Sequence, residues 1–255
     1  MTSTLSGQHA LVTGAGTGIG AAVARRLVAA GARLTLVGRR AAPLEAMAAE
    51  LGTQHGLVQS DVGVEESVQR AFSLAQQARG VVTILVNAAG QAQSAPALRT
   101  SLEHWTSTLA VNLTGAFLCC REFLLQLPAS TPGRIVNIAS TAGLKGYAYV
   151  SAYCAAKHGL IGYTRALALE LARRGVTVNA VCPGFTETPL LEQALENIMR
   201  TTGRSEAGAR QDLLRTNPQG RFVLPEEVAE AVHWLCLPAA AAVTGSAIPI
   251  AGGEI

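Results

Sequence analysis

Thr13-Gly14-Ala15-Gly16-Thr17-Gly18-Ile19-Gly20 is the stretch on which the fold turns. Before it stands a short apolar run, His9-Ala10-Leu11-Val12-Thr13, which stops at the glycines and so reads as a buried strand. After it, Ile19, Val23, Leu27 and Val28 recur at helical spacing until Gly31 ends the helix. Glycines in such a turn let the backbone approach a pyrophosphate closely. The helix that follows offers free N–H groups and the positive end of its dipole. The strand before and the helix after are what separate a dinucleotide loop from an ordinary turn.

Outward from this loop the alternation repeats. Apolar runs at 33–37, 56–59, 83–86, 134–138, 177–181 and 247–250 read as strands, and 44–51, 64–79, 102–127 and 152–172 as helices. Alternating strands and helices predict a single doubly wound α/β domain of the Rossmann type. Its seven-stranded parallel sheet carries helices on both faces, and its strands read as unbroken apolar runs. Ligands of such sheets sit outside the carboxyl ends of the strands, so the residues just after each strand are the candidates for function. The segment 185–222 breaks the alternation and is rich in charge. It is expected to be a small helical insertion that acts as a substrate lid.

Composition narrows the classes. The chain has 255 residues, 49% hydrophobic and 15% charged, which excludes a disordered tail protein. A net charge of +3, scattered along the chain, gives no nucleic-acid footprint. The five cysteines form no CxxC and the five histidines no ligand cluster, so neither a disulfide framework nor a metal site is expected. No uninterrupted apolar run reaches ~18 residues, and the first residues lack the pattern of a signal peptide. A cytoplasmic protein without a membrane span is therefore expected.

A site for NAD needs an acid on the ribose 2′-hydroxyl, about 20 residues beyond the loop. Here the second strand ends in Val37-Gly38-Arg39-Arg40. Arg39 is suited to a 2′-phosphate through two charge-assisted bonds, with Arg40 assisting, so NADP(H) is expected over the alternative NAD(H).

Tyr153 and Lys157 stand at i and i+4 of a predicted helix and share a face. A phenol of pKa ~10 is a slow acid near neutrality. A lysine cation a few ångströms away in a dry cleft would favour the phenolate. Only two lysines occur in the chain, Lys145 and Lys157. Ser140 follows the fifth strand, where its hydroxyl could hold a carbonyl oxygen. Asn112 lies inside a predicted helix, a poor place for an amide, and needs a reason such as ordering a water.

These elements together resemble the short-chain dehydrogenase/reductase family. The matching residues are the TGxxxGxG loop, Asp61-Val62, Asn87-Ala88-Ala89-Gly90, Asn112, Ser140, Tyr153 with Lys157, Pro183-Gly184 with Thr188, and the closing Gly252-Gly253. The resemblance implies a catalytic tetrad of Asn112, Ser140, Tyr153 and Lys157. Tyr153 would donate a proton, Ser140 hold the substrate oxygen, Lys157 lower the Tyr153 pKa and hold the nicotinamide ribose, and Asn112 anchor a water. It implies a cofactor bed of Gly14, Gly16, Thr17, Gly18, Ile19, Gly20, Arg39, Arg40, Asp61, Val62, Asn87, Ala88, Gly90, Tyr153, Lys157, Pro183, Gly184 and Thr188. It also implies a homotetramer.

Within the family, 151–189 resembles the 3-oxoacyl and aromatic-polyketide ketoreductases. Reduction of a 3-oxoacyl thioester or β-keto compound is thus favoured. The alternative is an NAD-dependent secondary-alcohol or 3-hydroxyacyl dehydrogenase working oxidatively. Two departures stand out: Gln91-Ala92-Gln93-Ser94 replaces the glycine run of some polyketide ketoreductases, and Thr17 stands where many NADP-dependent members carry a basic residue. Tyr147, Tyr149 and Val150 are expected to border the substrate pocket. Lys145 is a weaker candidate for an anionic substrate, and Arg173 and Arg174 are expected to satisfy a helix C-terminus.

Overall fold

The computed structural model describes residues 4–52 and 54–255. Its centre is a seven-stranded parallel sheet in the order β3-β2-β1-β4-β5-β6-β7. The strands are β1 (His9–Thr13), β2 (Arg33–Gly38), β3 (Gly56–Gln59), β4 (Ile84–Asn87), β5 (Gly133–Ile138), β6 (Val176–Pro183) and β7 (Ala247–Ile250). After β1 the chain winds to one side through β2 and β3. It then crosses back to lay β4 on the other edge of β1, and the reversal leaves a crevice at the carboxyl ends of β1 and β4.

The helices are α1 (Gly18–Ala29), α2 (Ala41–Leu51), α3 (Glu65–Arg79), α4 (Leu102–Leu109), α5 (Gly115–Gln126), α6 (Ser151–Leu171), α7 (Pro189–Thr202), α8 (Glu206–Leu214) and α9 (Pro225–Cys236). Successive strand residues point to opposite faces. Ala10, Val12, Ile84, Val86, Val136 and Ile138 thus pack with Val23 and Leu27 of α1 and Val228, Val232 and Leu235 of α9. Leu11, Leu85 and Ile135 pack on the other face with Phe72 of α3, Phe123 of α5 and Leu171 of α6.

Two elements differ from the sequence expectation. The helix predicted over 102–127 is continuous but passes through a π-helical turn at Ala110–Thr114. The cause is Asn112, whose Nδ2 donates to the Thr108 carbonyl at 2.9 Å and so competes with the backbone ladder. By length and composition alone, Leu102–Gln126 is apolar enough to cross a membrane. Here its apolar side is spent on the sheet through Leu118, Cys119, Cys120 and Phe123.

Helix α9 went unpredicted, although its signals are present. Pro225 opens it, Glu226 and Glu227 occupy the first turn, and Glu227 accepts a 2.8 Å hydrogen bond from the Leu224 N–H. Beyond the sheet, 185–222 holds α7 and α8 with a small core of their own, Leu191, Leu195, Ala209 and Phe222.

Candidate active site

The glycine loop turns sharply because Gly14 adopts φ +66°. A Cβ there would stand 2.9 Å from the Ala88 carbonyl oxygen and from Ala89. Thr13 completes the contact, its Oγ1 accepting the Ala88 and Ala89 N–H groups at 3.1 Å each. The loop after β4 is thereby tied to the loop after β1, a role for Thr13 that its hydroxyl at a strand end could have signalled. Helix α1 then begins at Gly18. Thr17 at its N-cap makes no side-chain cap, and no acidic residue lies in the first turn, so these N–H groups lack a side-chain acceptor among the described residues. Such a helix end is fitted to an anion.

At the end of β2, Arg39 and Arg40 are exposed. Neither forms an ion pair with another described residue. Arg40 reaches back to within 3.5 Å of Thr17 Oγ1, so one guanidinium overhangs the loop. Asp61 follows β3 and accepts the Gly63 N–H at 2.9 Å on Oδ1, and the next residue, Val62, is buried. Thr13, Val62, Asn87, Asn112 and Ile138 line one narrow crevice. Asn87 sits in a buried chain of bonds: its Nδ2 donates to Asn137 Oδ1 at 2.9 Å, and Asn137 donates to Thr164 at 2.9 Å.

Of the four tetrad candidates Asn112 lines this crevice, and Lys157 reaches it through the Ile138 carbonyl. Lys157, 3% exposed, donates from Nζ to the Ile138 carbonyl at 2.8 Å and lies 5.5 Å from the centroid of the Tyr153 ring. A Cβ on Gly90 would lie 3.1 Å from Asn112 Oδ1 and 3.9 Å from Lys157 Nζ, so the three residues meet at one point. Ser140 accepts the Ala142 N–H at 3.1 Å, which orients its hydroxyl.

Two electrostatic details depart from expectation. Burial pushes the Tyr153 phenol up to about 12, with the Ser140 hydroxyl beside it opposing the rise. Burial also brings Lys157 down to about 8. Desolvation is the main cause in both groups. Asn112 commits both amide protons to the chain, to the Gln91 carbonyl at 2.8 Å and the Thr108 carbonyl at 2.9 Å, while its Oδ1 accepts the Gln91 N–H at 3.3 Å. Its side chain thus pins the Gln91 loop.

Other candidates fall out differently. Pro183 ends β6. Thr188 caps α7, and its Cγ2 lies 3.2 Å from where a Cβ on Gly18 would stand, which sets the root of the 185–222 segment against the glycine loop. Lys145 is paired with Glu254 at 3.0 Å, so its charge is already matched. Tyr149 is 66% exposed with a left-handed backbone, φ 68°. Arg174 reaches the Leu127 carbonyl at 3.4 Å, at the end of α5 rather than of its own helix.

The short-chain dehydrogenase model matches residues 8–198. The chain belongs to the short-chain dehydrogenase family. Its relatives include the granaticin polyketide synthase putative ketoacyl reductase 1 of Streptomyces violaceoruber, 42% identical over 96% of this chain and 92% of that one. D-threitol dehydrogenase of Mycolicibacterium smegmatis is 40% identical over 98% and 93%. Among solved structures, a variant of actinorhodin polyketide ketoreductase crystallised with NADPH superposes with a TM-score of 0.93 at 38% identity, over 100% of this chain and 99% of that one. This short-chain dehydrogenase is accordingly an NAD(P)-dependent oxidoreductase acting on a CH–OH group or its ketone. The free N–H groups of α1 and the unpaired guanidinium groups fit such a cofactor.

Proposed function

We propose that this enzyme reduces a ketone to a secondary alcohol with NADPH, and that the favoured substrate is a 3-oxoacyl thioester or similar β-keto compound. One observation carries the reading: Tyr153, Lys157 and Ser140 meet at the carboxyl ends of the strands, beside the glycine loop. The hydride would come from NADPH when it is bound. Arg39, with Arg40, would hold the 2′-phosphate, the α1 N-terminus the pyrophosphate, and Asp61 and Val62 would border the adenine.

Ser140 donates a hydrogen bond to the substrate carbonyl oxygen and orients it. Tyr153 gives that oxygen its proton. Burial raises the phenol, so it carries its proton near neutrality and can serve as the donor. Lys157 keeps a cation beside the phenol below its own pKa of about 8, which eases departure of the proton. Asn112 fixes the Gln91 loop and the π-turn that bound the site. The 185–222 segment acts as the lid, its root already seated on Gly18. Exposed Phe117, Leu125 and Leu169, on α5 and α6, support assembly into a homotetramer.

A second reading, oxidation of a secondary alcohol with NAD, draws on the threitol dehydrogenase relative and on Gln91–Ser94 in place of a glycine run. Fluorescence titration with NADPH and with NADH separates the two. A preference for NADPH of about tenfold or more supports reduction; a preference for NADH supports the second reading. Tyr153→Phe is expected to lower kcat for ketone reduction by about 10²–10⁴ while leaving NADPH affinity within about twofold. Undiminished turnover in that variant would remove Tyr153 from the chemistry.

A further inference from the structure

The last residues of the chain lie between two segments that the reaction needs. Beyond β7 the chain turns on Gly252 and Gly253, at φ +61° and +89°. A Cβ on Gly252 would stand 2.4 Å from Asn217 Oδ1, and one on Gly253 3.5 Å from Pro218. Asn217 in turn organises the end of the lid segment, donating to the Arg221 carbonyl at 2.8 Å and accepting the Gln219 N–H at 2.8 Å. The tail therefore runs directly beneath the point where the lid returns to the body.

Glu254 reaches the other way. Its side chain is 1% exposed, and Lys145 Nζ meets Oε1 at 3.0 Å. The Tyr147 hydroxyl donates to the same oxygen and accepts from Thr141 Oγ1 at 2.7 Å, one residue past Ser140. A Cβ on Gly184 would lie 3.1 Å from Oε2, and the Tyr147 ring packs edge-on against Phe185 at 6.0 Å between centroids. Gly184 and Phe185 are where the lid segment leaves β6. One buried carboxylate thus touches the Ser140 loop and the departing end of the lid, and its own tail supports the returning end. Oε2 has no hydrogen-bond partner among the described residues.

We propose that Glu254 is a positioning residue that couples the Ser140 loop to the hinge of the 185–222 lid, through Lys145 and Tyr147 on one side and Gly184 and Phe185 on the other. Closure of the lid over a substrate then draws Ser140 into place, so binding and orientation of the carbonyl are linked. The proposal rests on the reading of Ser140 and Tyr153 as the reacting pair.

The test compares wild type, Glu254→Gln and Lys145→Met by amide hydrogen exchange and by kinetics with NADPH and a β-keto thioester. Both variants are expected to accelerate exchange over 141–149 and 184–190 together. Both are expected to raise KM about tenfold, the scale of a lost charge-assisted contact, with kcat within about threefold and NADPH affinity within about twofold. The double variant is expected to lose less than the product of the two singles. Faster exchange confined to 251–255, or an unchanged KM in both variants of a wild type that turns over, overturns the coupling. A wild type inert toward the thioester counts against the functional reading instead, and the exchange pattern still decides the coupling.

Discussion

The body of the sheet and the 185–222 segment, proposed above as the lid, are held by different forces. In the body, alternate residues of β1, β4 and β5 feed two large cores, and Phe72, Leu27 and Phe123 are at most 1% exposed. The lid gathers a few apolar side chains around Leu191 and Leu195. Its ion pairs, such as Arg210 to Glu206 at 2.9 Å and to Glu192 at 3.0 Å, lie within the segment, and its ties to the body include Asn197 donating to Ser94 at 2.6 Å and Tyr147 packed against Phe185. Exposed pairs contribute little to stability. A large core under Tyr153 and Lys157 with a segment of small core beside it is the arrangement the proposed lid requires.

The sharpest way to break this contrast is to cut one core residue in each region. Phe123→Ala is expected to cost about 3–5 kcal/mol of global stability, read as a fall in the main thermal or urea transition. Leu195→Ala, equally buried at 1% exposure, is expected to leave that transition nearly in place and to raise KM, because the lid opens locally. Equal losses of global stability would mean that lid and body unfold as one unit.

Next in size is Arg39→Ala. It is expected to weaken NADPH binding about 10- to 150-fold, the equivalent of about 1.5–3 kcal/mol, with NADH binding unchanged. Because Arg39 belongs to the body, its loss should leave substrate KM at saturating cofactor unaltered, whereas lid variants should do the reverse.

Smaller effects come with pH. Burial lowers Lys157 to about 8, so the rate of reduction should be flat below that value and fall as pH rises through it, when the cation beside Tyr153 is lost. The apparent pKa belongs to the Tyr153–Lys157 pair rather than to either group. Stability should move at the acid end instead. His9 is held neutral by burial, below its ordinary 6.5, with Nδ1 on the Gly80 carbonyl at 2.8 Å and Nε2 on Thr35 at 2.9 Å. A depressed folded pKa means that its contribution is present above about 6.5 and is lost as pH falls toward the folded value. Differential scanning calorimetry between pH 7 and 5 should show Tm falling, less steeply in His9→Gln.

The body was more legible than the 185–222 segment. Strands buried on both faces leave continuous apolar runs, so all seven appear in the sequence within two residues of their place in the sheet. Helix starts were harder: α2 begins at Ala41 rather than 44, because Pro43 sits comfortably in a first turn. The π-turn at Ala110–Thr114 was not legible as such, although Asn112 was marked as out of place; the competing bond to Thr108 exists only once the helix has formed. Lys145 could not be assigned from sequence, because its partner Glu254 stands 109 residues away.

The sequence by itself determined the fold, the glycine loop, the missing acid after β2 and the Tyr153–Lys157 spacing. Each of these is local: a periodicity, a turn, or two residues one helical turn apart. Tertiary structure alone decided what lies next to what across the crevice. It brought Gly90 to Asn112 and Lys157, set Thr188 on the glycine loop, and carried Glu254 beneath the lid. It also decided the acidity of Tyr153, because desolvation is a property of the packed site and appears in no spacing of residues.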